Sequence, residues 1–118
     1  MFEWRDYLEL ARGLITSSER SEASLRAAAS RAYYAAFHKS REALERDLGE
    51  TFGRGRIHAE VIRRLKERPE TQMLGGDLDR LRKMRSHADY DAANTFSSRH
   101  AELAVHLASG VLRQLDVA

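Results

Sequence analysis

The stretch LRKMRSHADYD, residues 81–91, collects side chains that could act on a phosphate. It holds the guanidinium groups of Arg82 and Arg85, the imidazole of His87 and the carboxylate of Asp89. Imidazole accepts and donates protons near neutral pH, and guanidinium offers a planar fork of donors that matches phosphate oxygens. These residue types together are typical of a site that binds or cleaves a phosphodiester.

Helical spacing decides which of these side chains can meet. On an α-helix, Arg82, Arg85 and Asp89 share one face, whereas Arg82 and His87 are about 140° apart. The latter two converge on one ligand only if long side chains wrap inward, the helix is distorted or a second subunit completes the site. Spacing alone favours a plainer interpretation, in which Arg85 with Asp89 and His87 with Asp91 form ion pairs on an exposed helix face.

Other chemistries find little support in the sequence. The chain has no cysteine, which excludes thiolate nucleophiles, disulfides and cysteine-based zinc sites. Its five histidines show no ligand spacing, no serine lies in a glycine-flanked turn, and GRG is too short for a phosphate-binding loop. We therefore predict neither a metal nor a cofactor.

Charge is unevenly distributed along the chain. The formal net charge is +2, but residues 54–85 hold ten Lys or Arg against five Asp or Glu, a net +5. Such a segment can attract phosphate-bearing partners, although an excess of Arg and Lys more often reflects a solvated surface of Arg and Glu side chains. The N-terminus is amphipathic and acidic, and no apolar run reaches membrane-spanning length, so we expect a cytoplasmic protein with no membrane partner.

Apolar periodicity predicts an all-α bundle of about five helices in a single domain, 1–118. Ser21 is the expected N-cap and Gly49 the expected stop of a long second helix, and Asp77 is the expected cap of the fourth. Pro69 should end the third helix, and Ser97 or Ser98 should begin the last. The predicted ranges are about 2–17, 21–48, 57–68, 77–91 and 97–115.

The second helix carries the segment SRAYYAAFH, residues 30–38. Its simplest interpretation is structural: Tyr33, Tyr34 and Phe37 fill the core, and Arg31 extends along its edge. Because adjacent helical residues point about 100° apart, at least one tyrosine should sit at a boundary where its hydroxyl finds a partner.

Three segments together resemble small single-domain members of the HEPN superfamily. These are SRAYYAAFHKSREAL in the second helix, IHAEVIRRL in the third and LDRLRKMRSHADYD in the fourth. They occur in order and cover nearly the whole chain. The resemblance implies an up-and-down helical bundle that forms a homodimer, with a polar cleft at the dimer interface lined by the fourth helix.

Many HEPN proteins are metal-independent ribonucleases with an Arg, four to six intervening residues and a His. Arg82 and His87 match the shortest form, and the resemblance implies that they are catalytic. The His would serve as general acid/base for attack of the ribose 2′-hydroxyl on the phosphodiester, and the Arg would stabilise charge on the phosphate. This sequence departs from the family pattern at two positions. Lys83 stands where active relatives often carry Asn, Asp or His. Tyr90 stands three residues after the His, whereas the tyrosine modified by the nucleotidyltransferase partner in the toxin subgroup stands two residues after it.

A second branch of the superfamily gives an alternative role. The pattern R..R..ADYD, residues 82–91, resembles a branch in which the His position varies. There Arg82, Arg85, Asp89 and Tyr90 would form a buried polar cluster that binds a nucleotide or RNA phosphate, or holds the dimer together. Two residues of the second helix would support this cluster, Arg31 and Tyr34.

The leading hypothesis is therefore an RNA-directed HEPN protein, the endoribonuclease toxin of a toxin–antitoxin pair whose partner is a minimal nucleotidyltransferase. The alternative is a non-catalytic nucleotide-binding or docking module that partners a nucleotidyltransferase. A third possibility is a structural helical adaptor without a ligand.

Overall fold

Five α-helices form the parts of the chain that the structure describes, residues 1–53 and 55–117 of a computed structural model, and no strand occurs there. This confirms the predicted all-α bundle. Arg54, the first residue of the basic segment, and Ala118 lie outside the described residues. The helices are α1 (Arg5–Thr16), α2 (Glu22–Leu48), α3 (Ile57–Lys66), α4 (Gln72–Tyr90) and α5 (Ser98–Val117).

The long helix α2 is the centre of the bundle and contacts all four other helices. Its ends lie where the sequence predicts them. The Ser21 side chain accepts a hydrogen bond from the Ser24 backbone N–H, and Gly49 ends the helix with a left-handed φ of 66°. Small side chains let the other helices approach α2 closely, and five of them are at most 1% exposed: Ala28, Ala29, Ala32, Ala35 and Ala36.

Helix α4 begins five residues before the predicted cap, so the assignment of Asp77 as N-cap is wrong. The helix starts at Gln72 and runs through both glycines of the LGGD sequence. Gly75 is buried against α3, where a Cβ atom would lie only 3.0 Å from the backbone nitrogen of Lys66. The close approach of α3 and α4 compensates for the low helix propensity of glycine.

The C-terminus of α4 is fixed by one arginine from α2. The Nη1 group of Arg26 donates to the carbonyl oxygens of His87, Ala88 and Asp91, and its Nη2 group donates to that of Asn94. These carbonyls include the unpaired acceptors that every helix leaves at its C-terminal end. Arg26 therefore holds the end of α4 and the turn that follows.

The remaining helix ends are close to their predicted places. Helix α3 ends at Lys66, before Pro69, and α5 begins at Ser98. The Ser97 side chain accepts a hydrogen bond from the His100 backbone N–H, as an N-cap does. Among the described helices, none combines the length and apolar character needed to cross a membrane.

Candidate functional site

The centre of the candidate site is Arg85 of α4, which is only 8% exposed. Its guanidinium carbon lies 5.4 Å from the ring centroids of Tyr33 and Tyr90 and 5.7 Å from that of Tyr34. Aromatic faces carry negative charge density and so stabilise a cation. Two adjacent tyrosines of α2 and one of α4 therefore enclose the positive charge.

The charge of Arg85 is only partly neutralised. Its Nη1 atom lies 3.9 Å from an Asp89 carboxylate oxygen and donates to the Tyr90 hydroxyl at 3.3 Å, whereas its buried Nε has no partner in the described residues. The same Asp89 oxygen accepts a hydrogen bond from Ser30 at 3.1 Å. A buried cation with one distant carboxylate leaves a positive potential at the protein surface, which favours anions.

Arg31 of α2 extends the site toward α1. Its guanidinium carbon lies 4.9 Å from the Tyr7 ring centroid and 5.6 Å from that of Tyr34. Its Nη2 group donates to the Ser30 hydroxyl at 3.3 Å, and Ser30 in turn donates to Asp89. Within residues 1–53 and 55–117 no carboxylate pairs with Arg31, so its charge remains available to a ligand.

Arg82 borders the site on the side of α3. Burial lowers the pKa of His58, and the charges of Arg82 and Arg85 lower it further. Burial raises the pKa of Tyr33 well above its usual range, although both arginines oppose that rise. The Tyr33 hydroxyl lies 2.5 Å from Nδ1 of His58. A neutral imidazole that accepts this hydroxyl hydrogen fits both the burial and the neighbouring charges.

His87 lies apart from this arrangement. Its Nε2 group donates to the carbonyl oxygen of Asn94 at 3.4 Å, and its ring contacts Phe96 and His100 with centroid distances of 5.1 and 5.2 Å. The charge of Arg82 instead acts on His58 of α3 and on Tyr33 of α2. Because Gln72–Tyr90 is an α-helix throughout, one chain does not bring Arg82 and His87 together, and their catalytic roles stay a prediction that needs a second copy.

Most of the supporting residues inferred from the sequence do come together. We call the group the Arg85 cluster; it comprises Ser30, Arg31, Tyr33, Tyr34, Arg85, Asp89 and Tyr90. The interpretation of Arg85 and Asp89 as a solvated pair is wrong for Arg85, because three aromatic rings bury it. Arg82 lies at the border of the cluster and His87 lies outside it.

Sequence reasoning missed Ser30, Tyr33 and His58. Ser30 and Tyr33 carry a usable signal, because they stand at i and i+3 on α2 beside Arg31 and Tyr34 and must share a side of that helix. His58 carries none, since only the packing of α3 beside α2 brings it to Tyr33.

The described residues contain no group of three or more His, Cys, Asp or Glu side chains that could hold a metal ion. The chemistry available at the Arg85 cluster is that of guanidinium, phenol and one carboxylate. Such a donor set binds an anion and stacks on planar groups.

Comparison with known families agrees with the helical bundle. The HEPN domain family matches residues 5–117, nearly the full length of the chain. The chain therefore belongs to the HEPN domain family. No curated protein and no solved structure matches it.

Proposed function

We propose that this HEPN protein binds RNA, with the Arg85 cluster and Arg82 as the site for backbone phosphates. The observation that carries the proposal is the buried, incompletely neutralised Arg85. Arg31 shares the Tyr34 ring with Arg85, and the charge of Arg82 acts on the neighbouring Tyr33. Guanidinium groups form charge-assisted hydrogen bonds with phosphate oxygens, and contacts with the phosphates position a protein on a nucleic acid. The net +5 of residues 54–85 adds attraction at longer range.

Salt-dependent binding of a fluorescein-labelled single-stranded RNA, followed by anisotropy, tests this proposal. Arg82→Ala and Arg31→Ala should each weaken binding and reduce the slope of log K against log salt concentration by about 0.7, the value for one phosphate contact in a single strand. The matched control is Arg46→Ala, which removes an exposed arginine paired with Asp47. The proposal fails if the wild type does not bind RNA, or if the three variants bind alike.

A second candidate function is cleavage of the bound RNA by Arg82 and His87. Both side chains are only partly buried, and they lie on different sides of α4. A homodimer that shares its site between copies would supply Arg82 from one chain and His87 from the other. The reaction would then need no metal. His87 takes the proton of the 2′-hydroxyl as that oxygen attacks the phosphorus, the bond to the 5′-oxygen breaks, and the imidazolium returns a proton to the leaving 5′-oxygen, so that a 2′,3′-cyclic phosphate remains.

Incubation with total RNA in excess EDTA, followed by mapping of the cleaved ends, tests the cleavage function. Wild type should yield 2′,3′-cyclic phosphate ends, and Arg82→Ala and His87→Ala should each abolish them. Co-expression of the two variants should restore part of the activity, because a mixed dimer holds one intact pair. Binding without cleavage would leave the protein a non-catalytic RNA-binding module.

The proposed regulation is modification of Tyr90 by a minimal nucleotidyltransferase, as in a toxin–antitoxin pair. Tyr90 is 76% exposed, so an enzyme can reach its hydroxyl. Transfer of a nucleotidyl group to that oxygen would release pyrophosphate and place a negative phosphodiester beside Arg85. Intact-mass measurement after incubation with the partner and a nucleoside triphosphate should show one added nucleotidyl group, and Tyr90→Phe should show none.

A further inference from the structure

A shallow groove adjoins the Arg85 cluster on the side of α1. Its volume is about 300 Å³, and we call it the Trp4 groove; its lining residues are Trp4, Tyr7, Arg31, Tyr34 and His38. Four of the five are planar rings, and the fifth is a planar cation. Arg31 and Tyr34 belong to both the groove and the cluster, so the two sites adjoin at these residues.

Three rings of the groove, those of Trp4, His38 and Tyr34, form a nearly parallel series, whereas the Tyr7 ring meets Trp4 edge to face at 72°. Trp4 and His38 are stacked with centroids 3.6 Å apart and an interplanar angle of 14°, and His38 and Tyr34 are inclined by 27° with centroids 6.1 Å apart. Phe2, 52% exposed, lies at the rim with its centroid 5.0 Å from that of Trp4. These rings are partly exposed, and a series of flat aromatic rings is the arrangement on which unpaired bases stack.

The charge of His38 suits such a platform. Burial lowers the pKa of His38 to about 4, and the neighbouring Arg41 and His58 side chains act in the same direction. At neutral pH the ring is therefore uncharged and stacks on Trp4 as a flat aromatic surface. Among the described residues that line the groove, Arg31 supplies the positive charge, at the end that meets the cluster.

The two ends of the groove differ in charge, which would orient a bound strand. Beyond Trp4 and His38, the surface carries Arg41, Glu42 and Glu45. Arg41 is neutralised by Glu45 at 2.7 Å, which leaves the charge of Glu42. A phosphate is repelled at this end and attracted at the Arg31 end, so a bound strand would run from Trp4 toward Arg85.

We propose that the Trp4 groove is a base-binding subsite for single-stranded RNA, in which an unpaired base stacks beside Trp4 while its phosphate pairs with Arg31 in the positive potential of the buried Arg85. The proposal rests on the proposed function, and it specifies the ligand as single-stranded. Bases inside a duplex are already stacked on their neighbours and cannot enter a side-chain platform. The groove therefore distinguishes unpaired RNA from a duplex of equal charge.

Fluorescence of Trp4, the only tryptophan in the chain, tests the subsite directly. A decamer of uridine should quench this fluorescence with the same midpoint as the anisotropy change of labelled RNA. A ten-base-pair RNA duplex and inorganic phosphate should leave it unchanged. Trp4→Ala should weaken decamer binding about tenfold without changing the salt slope, because stacking releases no counterions.

Two further variants separate stacking from stability. Trp4→Phe keeps an aromatic face and should lose much less affinity than Trp4→Ala, while Leu10→Ala, a change of a half-exposed residue on α1, should bind like the wild type. The proposed subsite would be overturned if RNA binds tightly by anisotropy but does not quench Trp4, and if Trp4→Ala binds as tightly as the wild type. The proposed phosphate binding would remain. Equal quenching by the duplex would overturn the single-strand preference. Absence of binding by the wild type would instead reject the proposed function itself, and the subsite with it.

Discussion

The guanidinium of Arg26 donates a hydrogen bond of 3.0 Å to the carbonyl oxygen of Ala88, 62 residues further along the chain. The same side chain, 17% exposed, pairs with Glu22 and lies 5.7 Å from the Phe96 ring centroid. One residue of α2 thus joins the end of α4 to the turn that leads into α5. The positions of His87 and Tyr90 depend on this contact, although neither the charge pattern nor the resemblance indicates it.

Replacement of Arg26 by lysine should destabilise the protein by about 2 kcal/mol. Lysine keeps the charge but lacks the planar fork, so at least two of the carbonyl oxygens lose a charged donor. Arg41→Lys is the matched control, because Arg41 pairs with Glu45 near the surface and should lose less than about 0.5 kcal/mol. Urea unfolding followed by circular dichroism measures both, and equal losses would contradict the role of Arg26.

The two adjacent glycines of α4 should respond oppositely to alanine. At Gly75 a Cβ atom would meet the backbone nitrogen of Lys66 at 3.0 Å and its Cγ at 2.9 Å, so α3 must move and stability should fall by about 1–3 kcal/mol. At Gly76 nothing lies within 4 Å, and alanine should stabilise the helix by about 0.5–1 kcal/mol. Thermal unfolding of the two variants checks this contrast; a stabilised Gly75→Ala would show that α3 and α4 do not pack so closely.

Stability should decrease between pH 7 and pH 5 because His38 is held neutral. Its pKa is about 4 in the folded protein, against about 6.5 for an unperturbed histidine, so the unfolded chain binds more protons in this interval. The stabilisation is complete above pH 6.5 and is lost as the pH falls toward 4. Because the ring is partly exposed and solvent screens its charge, we expect the free energy of unfolding to be about 1–2 kcal/mol lower at pH 5 than at pH 7.

Denaturant unfolding at the two pH values measures this effect. His38→Gln should reduce the difference in unfolding free energy between pH 7 and pH 5. The exposed His106 provides the control, since His106→Gln should leave that difference unchanged. His58, whose pKa is also lowered, contributes in the same direction and accounts for the dependence that remains.

Removal of the Tyr33 hydroxyl should affect both stability and the ionisation of His58. Tyr33→Phe leaves Nδ1 of His58 without its partner and should cost about 1–2 kcal/mol. Because the hydroxyl donates to the neutral imidazole, its loss should raise the pKa of His58, which NMR titration measures. Tyr34→Phe is the control at the neighbouring position and should change neither the stability nor the pKa of His58. If the pKa of His58 instead falls in Tyr33→Phe, then His58 is the donor of this hydrogen bond and the Tyr33 hydroxyl is the acceptor.

Local signals explain why most of the fold could be predicted. Ser21 and Gly49 act within one turn of the helix that they bound, so their residue types suffice to place both ends of α2. The start of α4 could not be found in this way. Two consecutive glycines oppose a helix by propensity, and only the contact of Gly75 with α3 reverses that preference.

The candidate site was predictable where its members share a helix. Helical spacing and the resemblance of ADYD predict that the cluster contains Arg85, Asp89 and Tyr90. The segment SRAYY predicts the contribution of Arg31 and Tyr34. Burial of Arg85 could not be inferred, since the same spacing occurs on exposed helices. The contact between Tyr33 and His58 joins two helices across a loop, and no local pattern encodes such a pairing.

The alanine-rich side of α2 has a consequence for recognition. Alanine has no rotamers to lose, and α2 is confined on its buried side by four other helices. The backbone that carries Ser30, Tyr34 and His38 is therefore already rigid before any ligand arrives. Association at this surface loses little conformational entropy, so a short strand needs few contacts to be held in a single register.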